Sequence, residues 1–246
     1  MNIGPATFTV KDVKLGRQMS TVHVTLSQGS REEVVAYFTN SNLHAENGIS
    51  FSTGWELHPP ASPVDIAALR AGKDERWEEQ AHMPFAVFRK ASQNVKFFFP
   101  KQGQPMRSIA DQWMCFKNGD SFTNVDVGFV ADMFPQVIES YRTGSDPYAI
   151  VPPNKAATEA ETKSNGMASF WYPTVLLNLD IKKALPEEGA EFLFVRTRAK
   201  QIRNGRYDLE VIILDEGGEI VCLSHHVCMV LSAERNMAKR NTAQKL

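Results

Sequence analysis

The chain has 246 residues, of which 43% are hydrophobic and 22% charged, and its formal net charge is −1. This composition is typical of a globular protein with one large domain or two small ones. A net charge so close to zero gives no general attraction to nucleic acid or to an anionic membrane. The apolar runs stay shorter than the roughly 18 residues that a membrane helix needs.

Cysteine usage and the first residues indicate the compartment. Three cysteines are too few for a disulfide framework, and their odd number favours a reducing environment. The N-terminal MNIGPATFTV is not a basic segment followed by an apolar one, so it does not match a secretory signal. We therefore expect a cytoplasmic protein without a nucleic-acid or membrane partner.

A repeated pattern organises the chain. Alternating apolar residues over 8–39 predict three antiparallel strands joined by hairpins, and a similar run recurs over 192–226. Both runs place a Gly-Arg pair before a Val-rich strand and a polar turn before the last strand. A repeat at this distance indicates two copies of one domain, although any two β-meanders share part of this pattern.

The segments between the two runs predict further elements. Residues 45–84 are a connection, and 85–100 predict an added strand or an ordered insert. The remaining predicted elements are a strand over 107–118, a helical pattern over 125–143, a loop over 144–168 and a strand over 170–181. Pro135 is tolerated in a first helical turn, which places the predicted helix start near Ala131–Asp132.

The first copy has too few residues in front of it to contain the same helix and first strands. We therefore expect an incomplete N-terminal copy plus connecting segment over 1–104, and a C-terminal copy over 105–246.

Four stretches carry a family resemblance: KDVKLGRQMSTVHVTLSQ, FVADMFPQVIESY, WYPTVLLNLDI and GGEIVCLSHHVCMVLSAERN. Together they resemble the type-II acyl-CoA thioesterases, in particular the fungal-type thioesterase-like superfamily. The resemblance implies an α+β fold, a tandem (double) hotdog in which an antiparallel sheet wraps around a long helix, here with an incomplete N-terminal hotdog. It also implies an acyl-CoA or acyl-carrier thioester as substrate, and we expect a homo-oligomer.

The resemblance implies that an Asp from the second hotdog helix, a Thr or Ser, and a Gln activate water. Asp132, in ADMFPQ, matches the Asp. A carboxylate at a helix N-terminus accepts backbone N–H groups, and neighbouring free N–H groups can polarise a thioester carbonyl. Asp132 could equally be an N-cap without a catalytic role.

Thr174, in WYPTVLL, is the counterpart of the family's hydroxyl residue. A shift of one residue in the alignment would move a strand side chain to the opposite face of the sheet. Threonine is also favoured in any strand because it is β-branched, so a structural role stays open.

The family's Gln falls on the last long strand, where this sequence has His226 and no Gln. Neighbouring strand residues point to opposite faces, so Cys222, Ser224, His226 and Cys228 share one face and His225 lies on the other. The Cys and His positions on that face spread over about 20 Å, too far for one zinc ion. His226 either orients water or transfers a proton, or it is packed or exposed without a role.

No G-x-G-x-x-G, phosphate-loop or H-E-x-x-H motif occurs, so we expect no cofactor and no metal. Two classes of function stay open. One is an enzyme in which Asp132-activated water hydrolyses an acyl-CoA, acyl-carrier or polyketide thioester, or a related catalyst acting on such an intermediate. The other is a non-catalytic hotdog protein that binds an acyl group, a polyketide intermediate or a partner chain.

Overall fold

The computed structural model describes residues 4–81, 83–84, 86, 89–142, 146–150 and 169–232. The chain forms two compact units, residues 1–55 and residues 56–246. The hotdog boundaries expected at 1–104 and 105–246 stay a prediction. Of the predicted loop over 144–168, only residues 146–150 lie within the described part of the chain.

The first unit is an antiparallel sheet of three strands in sequence order, β1 (Thr7–Lys14), β2 (Met19–Gln28) and β3 (Arg31–Ser41). Gly29 closes the turn between β2 and β3 with φ +61, a conformation that glycine adopts without a steric penalty. The three strands predicted over residues 8–39 are confirmed.

The second unit contains ten strands and three short helices within the described residues. The helices are α1 (Ile66–Arg70), α2 (Val127–Ala131) and α3 (Glu139–Arg142), and a 3-10 turn spans Lys90–Asn94. The strands are β4 (Trp77–Glu79), β5 (Val95–Pro100), β6 (Ile109–Phe116), β7 (Phe170–Trp171), β8 (Thr174–Ile181), β9 (Leu193–Arg198), β10 (Ile202–Arg203), β11 (Arg206–Leu214), β12 (Ile220–Met229) and β13 (Leu231–Ser232). No helix among the described residues has the length and apolar character to cross a bilayer.

Eight of these strands form one antiparallel sheet. Its order is β4-β5-β6-β9-β11-β12-β8, and β10 pairs with β11 beside this path. Asn204 and Gly205, both at positive φ, form the two-residue turn between β10 and β11, as the Asn-Gly preference of tight hairpins predicts. The neighbours β9, β11 and β12 repeat the arrangement of β1, β2 and β3, so the strands predicted over 192–226 are confirmed.

The strand predicted over 107–118 is present as β6, and the strand predicted over 170–181 is present as β7 and β8. The strand predicted within 85–100 is present as β5.

The large sheet is buried on both faces in its central strands. On β5, Phe97 and Phe99 point into the core that contains α2, whereas Phe98 packs on the opposite side. Trp113 and Phe194 extend that opposite layer, with their rings edge to face at 5.5 Å. Strict alternation of side chains along each strand therefore fills two apolar layers from one set of strands.

The helix in front of Asp132 differs from the prediction. The sequence pattern placed a helix start near Ala131–Asp132, but α2 begins at Val127 and ends at Ala131. The proline ring would collide with the carbonyl of the residue four positions earlier, which is Ala131, and the residue before a proline avoids the helical region. Pro135 therefore lies in a break between α2 and α3, not in a first turn.

A buried ion pair joins two central strands on the side opposite α2. Asp111 of β6 and Arg196 of β9 are register partners, and both carboxylate oxygens accept hydrogen bonds from the guanidinium at 2.6 Å. Both side chains are almost fully buried. The guanidinium also donates to the carbonyl of Pro59, so the loop in front of α1 is attached to the sheet.

Replacing Asp111 by Asn should lower the free energy of unfolding by about 3–5 kcal/mol, because an uncompensated guanidinium stays buried. Urea unfolding of the full chain measures this loss. The matched control is Glu191→Gln, which breaks the exposed pair with Arg70 and should change the stability by less than about 1 kcal/mol. Equal losses in the two variants would contradict the importance of the buried pair.

Candidate active site

A pocket of about 390 Å³ opens in the second unit beside the end of α2. Aromatic side chains form much of its wall: Phe97, Phe134, Tyr148, Phe170, Trp171 and Tyr172. The polar residues Asp132, Gln136 and Thr174 line the same space. A mostly apolar cavity with a few convergent polar groups is the usual form of a small-molecule site.

Asp132 enters the pocket from the C-terminal end of α2. Its backbone N–H donates to the carbonyl of Phe129 at 3.2 Å, so Asp132 caps the last turn of the helix. The expectation that Asp132 is an N-cap with free helical N–H groups around it is therefore wrong. The break before Pro135 turns the carboxylate toward the pocket, where 57% of the side chain is exposed.

Thr174 faces Asp132 from the first position of β8. Its Oγ1 donates to Asp132 Oδ1 over 3.5 Å and lies 3.8 Å from Cys228 Sγ on β12. Thr174 and Cys228 are register partners, which places both side chains on the inner face of the sheet. The register thus brings the sequence-predicted hydroxyl to the sequence-predicted carboxylate.

His226 lies behind Asp132 and does not line the pocket. Its side chain is 0% exposed, its ring lies edge to face with the ring of Phe134, and its Nδ1 is 3.7 Å from Asp132 Oδ1. His225 is exposed on the other face of β12, so the alternation predicted for this strand is confirmed.

The hydrogen bonds of Ser224 assign the protonated nitrogen of His226. Ser224 Oγ donates to the carbonyl of Asn178 at 2.7 Å and lies 2.9 Å from His226 Nε2. A hydroxyl has one proton to donate, so in the second contact Ser224 accepts and Nε2–H donates. Nδ1 then carries a lone pair 3.7 Å from Asp132 Oδ1, and it has no hydrogen-bond partner among the described residues.

The protein environment shifts the pKa values of both groups. Although the Asp132 side chain is open to the pocket, the protein around the pocket partly desolvates the carboxylate and raises its pKa, while the charge of Arg89 and the Thr174 hydroxyl oppose this rise. Burial, followed by the charge of His225, lowers the pKa of His226 to about 4. The imidazole is therefore neutral at neutral pH, with its lone pair next to a carboxylate of raised basicity.

Comparison with known proteins agrees with this arrangement. Residues 63–230 match the model of the acyl-CoA thioesterase C-terminal domain, and residues 1–41 match that of the N-terminal domain. The chain belongs to the acyl-CoA thioesterase family. This membership makes the protein a hydrolase of the thioesterase type, as the sequence resemblance implies.

A relative supports the family assignment, and solved structures support the fold. The thioesterase-like protein TwmA of Talaromyces wortmannii is 36% identical over 98% of this chain and 76% of its own length. A hot dog fold protein of unknown function from Alicyclobacillus acidocaldarius superposes with a TM-score of 0.61 at 14% identity, covering 92% of this chain and 73% of that one.

An acyl-CoA thioesterase II from Mycobacterium marinum superposes with a TM-score of 0.54 at 14% identity over the same shares of the two chains, 92% and 73%. The α+β tandem hotdog expected from the sequence is thereby confirmed as the fold of this thioesterase, but the expected long helix is replaced by the short helices α2 and α3 on either side of Pro135.

The structure also places residues in the pocket that the sequence analysis did not single out. Arg89 and Gln136 come from segments without a regular pattern, one before the 3-10 turn and one in the break after α2. Gln136 lies in the same ADMFPQ stretch as Asp132, and that proximity was the only available signal.

His226 should stay neutral and protonated on Nε2 down to about pH 4. Heteronuclear NMR of imidazole-¹⁵N-labelled protein reports both the tautomer and the titration, and His226→Gln assigns the signal. A protonated Nδ1, or titration near the ordinary histidine value of about 6.5, would contradict the assignment.

The lowered pKa of His226 also makes the free energy of unfolding depend on pH. The folded pKa is below the unfolded one, so the unfolded chain binds the proton first as the pH falls. The contribution of His226 to the free energy of unfolding should decline between about pH 6.5 and pH 4. In His226→Gln this part of the pH dependence should be absent.

Proposed function

We propose that this thioesterase uses Asp132 as a general base that activates water against an acyl-CoA or acyl-carrier thioester. The observation that carries the proposal is the arrangement of the contacts to the carboxylate. Thr174 Oγ1 and His226 Nδ1 both approach Oδ1, which leaves Oδ2 available to a water molecule in the pocket. The raised pKa of Asp132 brings its basicity closer to neutral pH, as a general base requires.

In the proposed reaction, water donates a proton to Asp132 Oδ2 while its oxygen attacks the thioester carbonyl. The tetrahedral intermediate then breaks its C–S bond, and the leaving thiolate takes the proton from Asp132. The products are the carboxylic acid and the free thiol, and the carboxylate is regenerated. Thr174 orients the base from within the pocket, and the buried neutral His226 does not donate a hydrogen bond to the carboxylate, which therefore keeps its basicity.

Asp132→Asn should lower kcat by about 10²–10⁴-fold, because the amide has almost the shape of the carboxylate but cannot accept the proton. The assay measures thiol release from acyl-CoAs of increasing chain length. Asp120→Asn is the matched control, since it neutralises an exposed carboxylate on the loop after β6 that does not line the pocket. Circular dichroism and the melting temperature check that both variants are folded.

Wild-type activity in Asp132→Asn would reject Asp132 as the base. Absence of thiol release from folded wild-type protein with every acyl-CoA and carrier thioester would instead favour a non-catalytic acyl-binding role.

The pH dependence of kcat/KM should change when Thr174 is replaced. The kcat/KM of the wild type should rise with pH through the raised pKa of Asp132, because only the ionised carboxylate accepts a proton. The Thr174 hydroxyl lowers that pKa by donating to the carboxylate. Thr174→Val should therefore move the acid limb to higher pH.

Thr174→Ser keeps the donor, so its acid limb should stay near that of the wild type. Identical acid limbs in Thr174→Val and Thr174→Ser would show that the hydroxyl does not act on Asp132.

A further inference from the structure

We propose that the pocket selects acyl groups that carry a carboxylate of their own, and that Arg89 binds this second anionic group. The inference rests on the proposed hydrolysis and adds the substrate class.

Arg89 is a half-buried cation without an anionic partner among the described residues. Its guanidinium carbon lies 5.9 Å from the ring centroid of Tyr172, and it forms no ion pair with any residue in the described part of the chain. The Tyr172 hydroxyl donates to the buried carboxylate of Glu139, so the ring under the guanidinium has a fixed position. A partly desolvated guanidinium is stabilised when a ligand supplies a carboxylate, with which it can form two parallel hydrogen bonds.

Two neutral donors accompany Arg89 in the same pocket. Gln136 Oε1 accepts from the Tyr207 hydroxyl at 2.6 Å, and the amide NH₂ of the same side chain donates no hydrogen bond to the described residues. The backbone N–H of Gln136 donates to the Tyr148 hydroxyl over 3.4 Å, so the phenol proton of Tyr148 is available to another acceptor. Arg89 and Tyr148 line the same pocket, and the charge of Arg89 opposes the rise that burial causes in the pKa of Tyr148.

The charge of the pocket lining also favours an anionic ligand. The described charged residues of the lining are Arg89, Lys90 and Asp132, two cations and one carboxylate. Asp132 does not form an ion pair with Arg89, so the guanidinium stays available while Asp132 acts on water. A plain alkyl chain would leave these donors without acceptors, and a site built from such donors discriminates strongly against ligands that lack the acceptor.

The test compares thioesters of matched length with and without a terminal carboxylate, adipoyl-CoA against hexanoyl-CoA and glutaryl-CoA against pentanoyl-CoA, after correction for uncatalysed hydrolysis. Wild-type kcat/KM should favour the carboxylated thioester by at least about tenfold, the usual magnitude of a hydrogen bond to a charged group. In Arg89→Met this ratio should fall to about one. Arg89→Lys should keep part of it, because the charge remains but the planar fork is lost.

Lys96→Met is the matched control. It removes a cation from the neighbouring β5 that pairs with Glu79 and does not line the pocket, so the ratio should stay at the wild-type value. N-acetylcysteamine thioesters of the same acids lack the phosphates of coenzyme A. If Arg89→Met no longer lowers the preference for the carboxylated acyl group with these shorter thioesters, the proposal is overturned in favour of phosphate binding by Arg89. An equal fall of kcat for both acyl classes would overturn it in favour of a role at the reacting carbonyl.

A binding measurement separates this proposal from the hydrolysis on which it rests. Calorimetry with Asp132→Asn protein should show tighter binding of adipoyl-CoA than of hexanoyl-CoA, and the preference should vanish when Arg89→Met is added. If adipoyl-CoA binds more tightly than hexanoyl-CoA but the wild type hydrolyses neither, the proposed reaction is contradicted and the Arg89 subsite is supported. Equal binding of the two thioesters would overturn the subsite whatever the activity.

Discussion

Pro135 is the constraint on which the pocket depends. It cannot continue α2, because its ring would meet the carbonyl of Ala131 and it has no N–H to donate. The chain therefore leaves the helical path at Asp132, and the carboxylate projects from the end of the helix into open space. The same break carries Gln136 into the pocket, so one steric conflict positions the proposed general base and a neighbouring donor.

The carboxylate meets an unusual partner behind it. Where the family resemblance implies a Gln, this chain has a buried histidine whose Nε2–H is taken by Ser224. The remaining nitrogen carries a lone pair near Asp132 and cannot donate a hydrogen bond to it. This contact does not stabilise the ionised form of Asp132, and it therefore acts in the same direction as the burial that raises the pKa of the group. A neutral imidazole in this position supports a base that is stronger than an ordinary carboxylate.

The phenols around the pocket serve mainly to fix other groups. Tyr172 is bound to Glu139, and Tyr207 is bound to Gln136, so both hydroxyls are engaged within the protein. Their rings and partners then hold the Arg89 guanidinium and the Gln136 amide in defined positions. Donors that are oriented before a ligand arrives lose less entropy on binding, which is the physical basis for selectivity in such a site.

Local sequence patterns were sufficient to predict much of the fold of this protein. Alternation of apolar residues determined the strands, the repeated triplet and the opposite faces of His225 and His226, because the side-chain period of a strand is a property of the backbone. The family resemblance directed attention to Asp132 and Thr174, and the sheet register brings these two side chains together. The helix start was misplaced because a proline fits both a first turn and a break, and sequence alone does not distinguish them.

Only the tertiary structure decided which donors share the pocket with Asp132. Arg89 and Gln136 lie in irregular segments, where no periodicity specifies the direction of a side chain. Their positions follow from long-range contacts, the Tyr172 ring beneath one and the Tyr207 hydroxyl beside the other. The sequence by itself determined the strands and the family to which the chain belongs. The charge and donors of the pocket depend on contacts between residues far apart in the chain, so they required the folded structure.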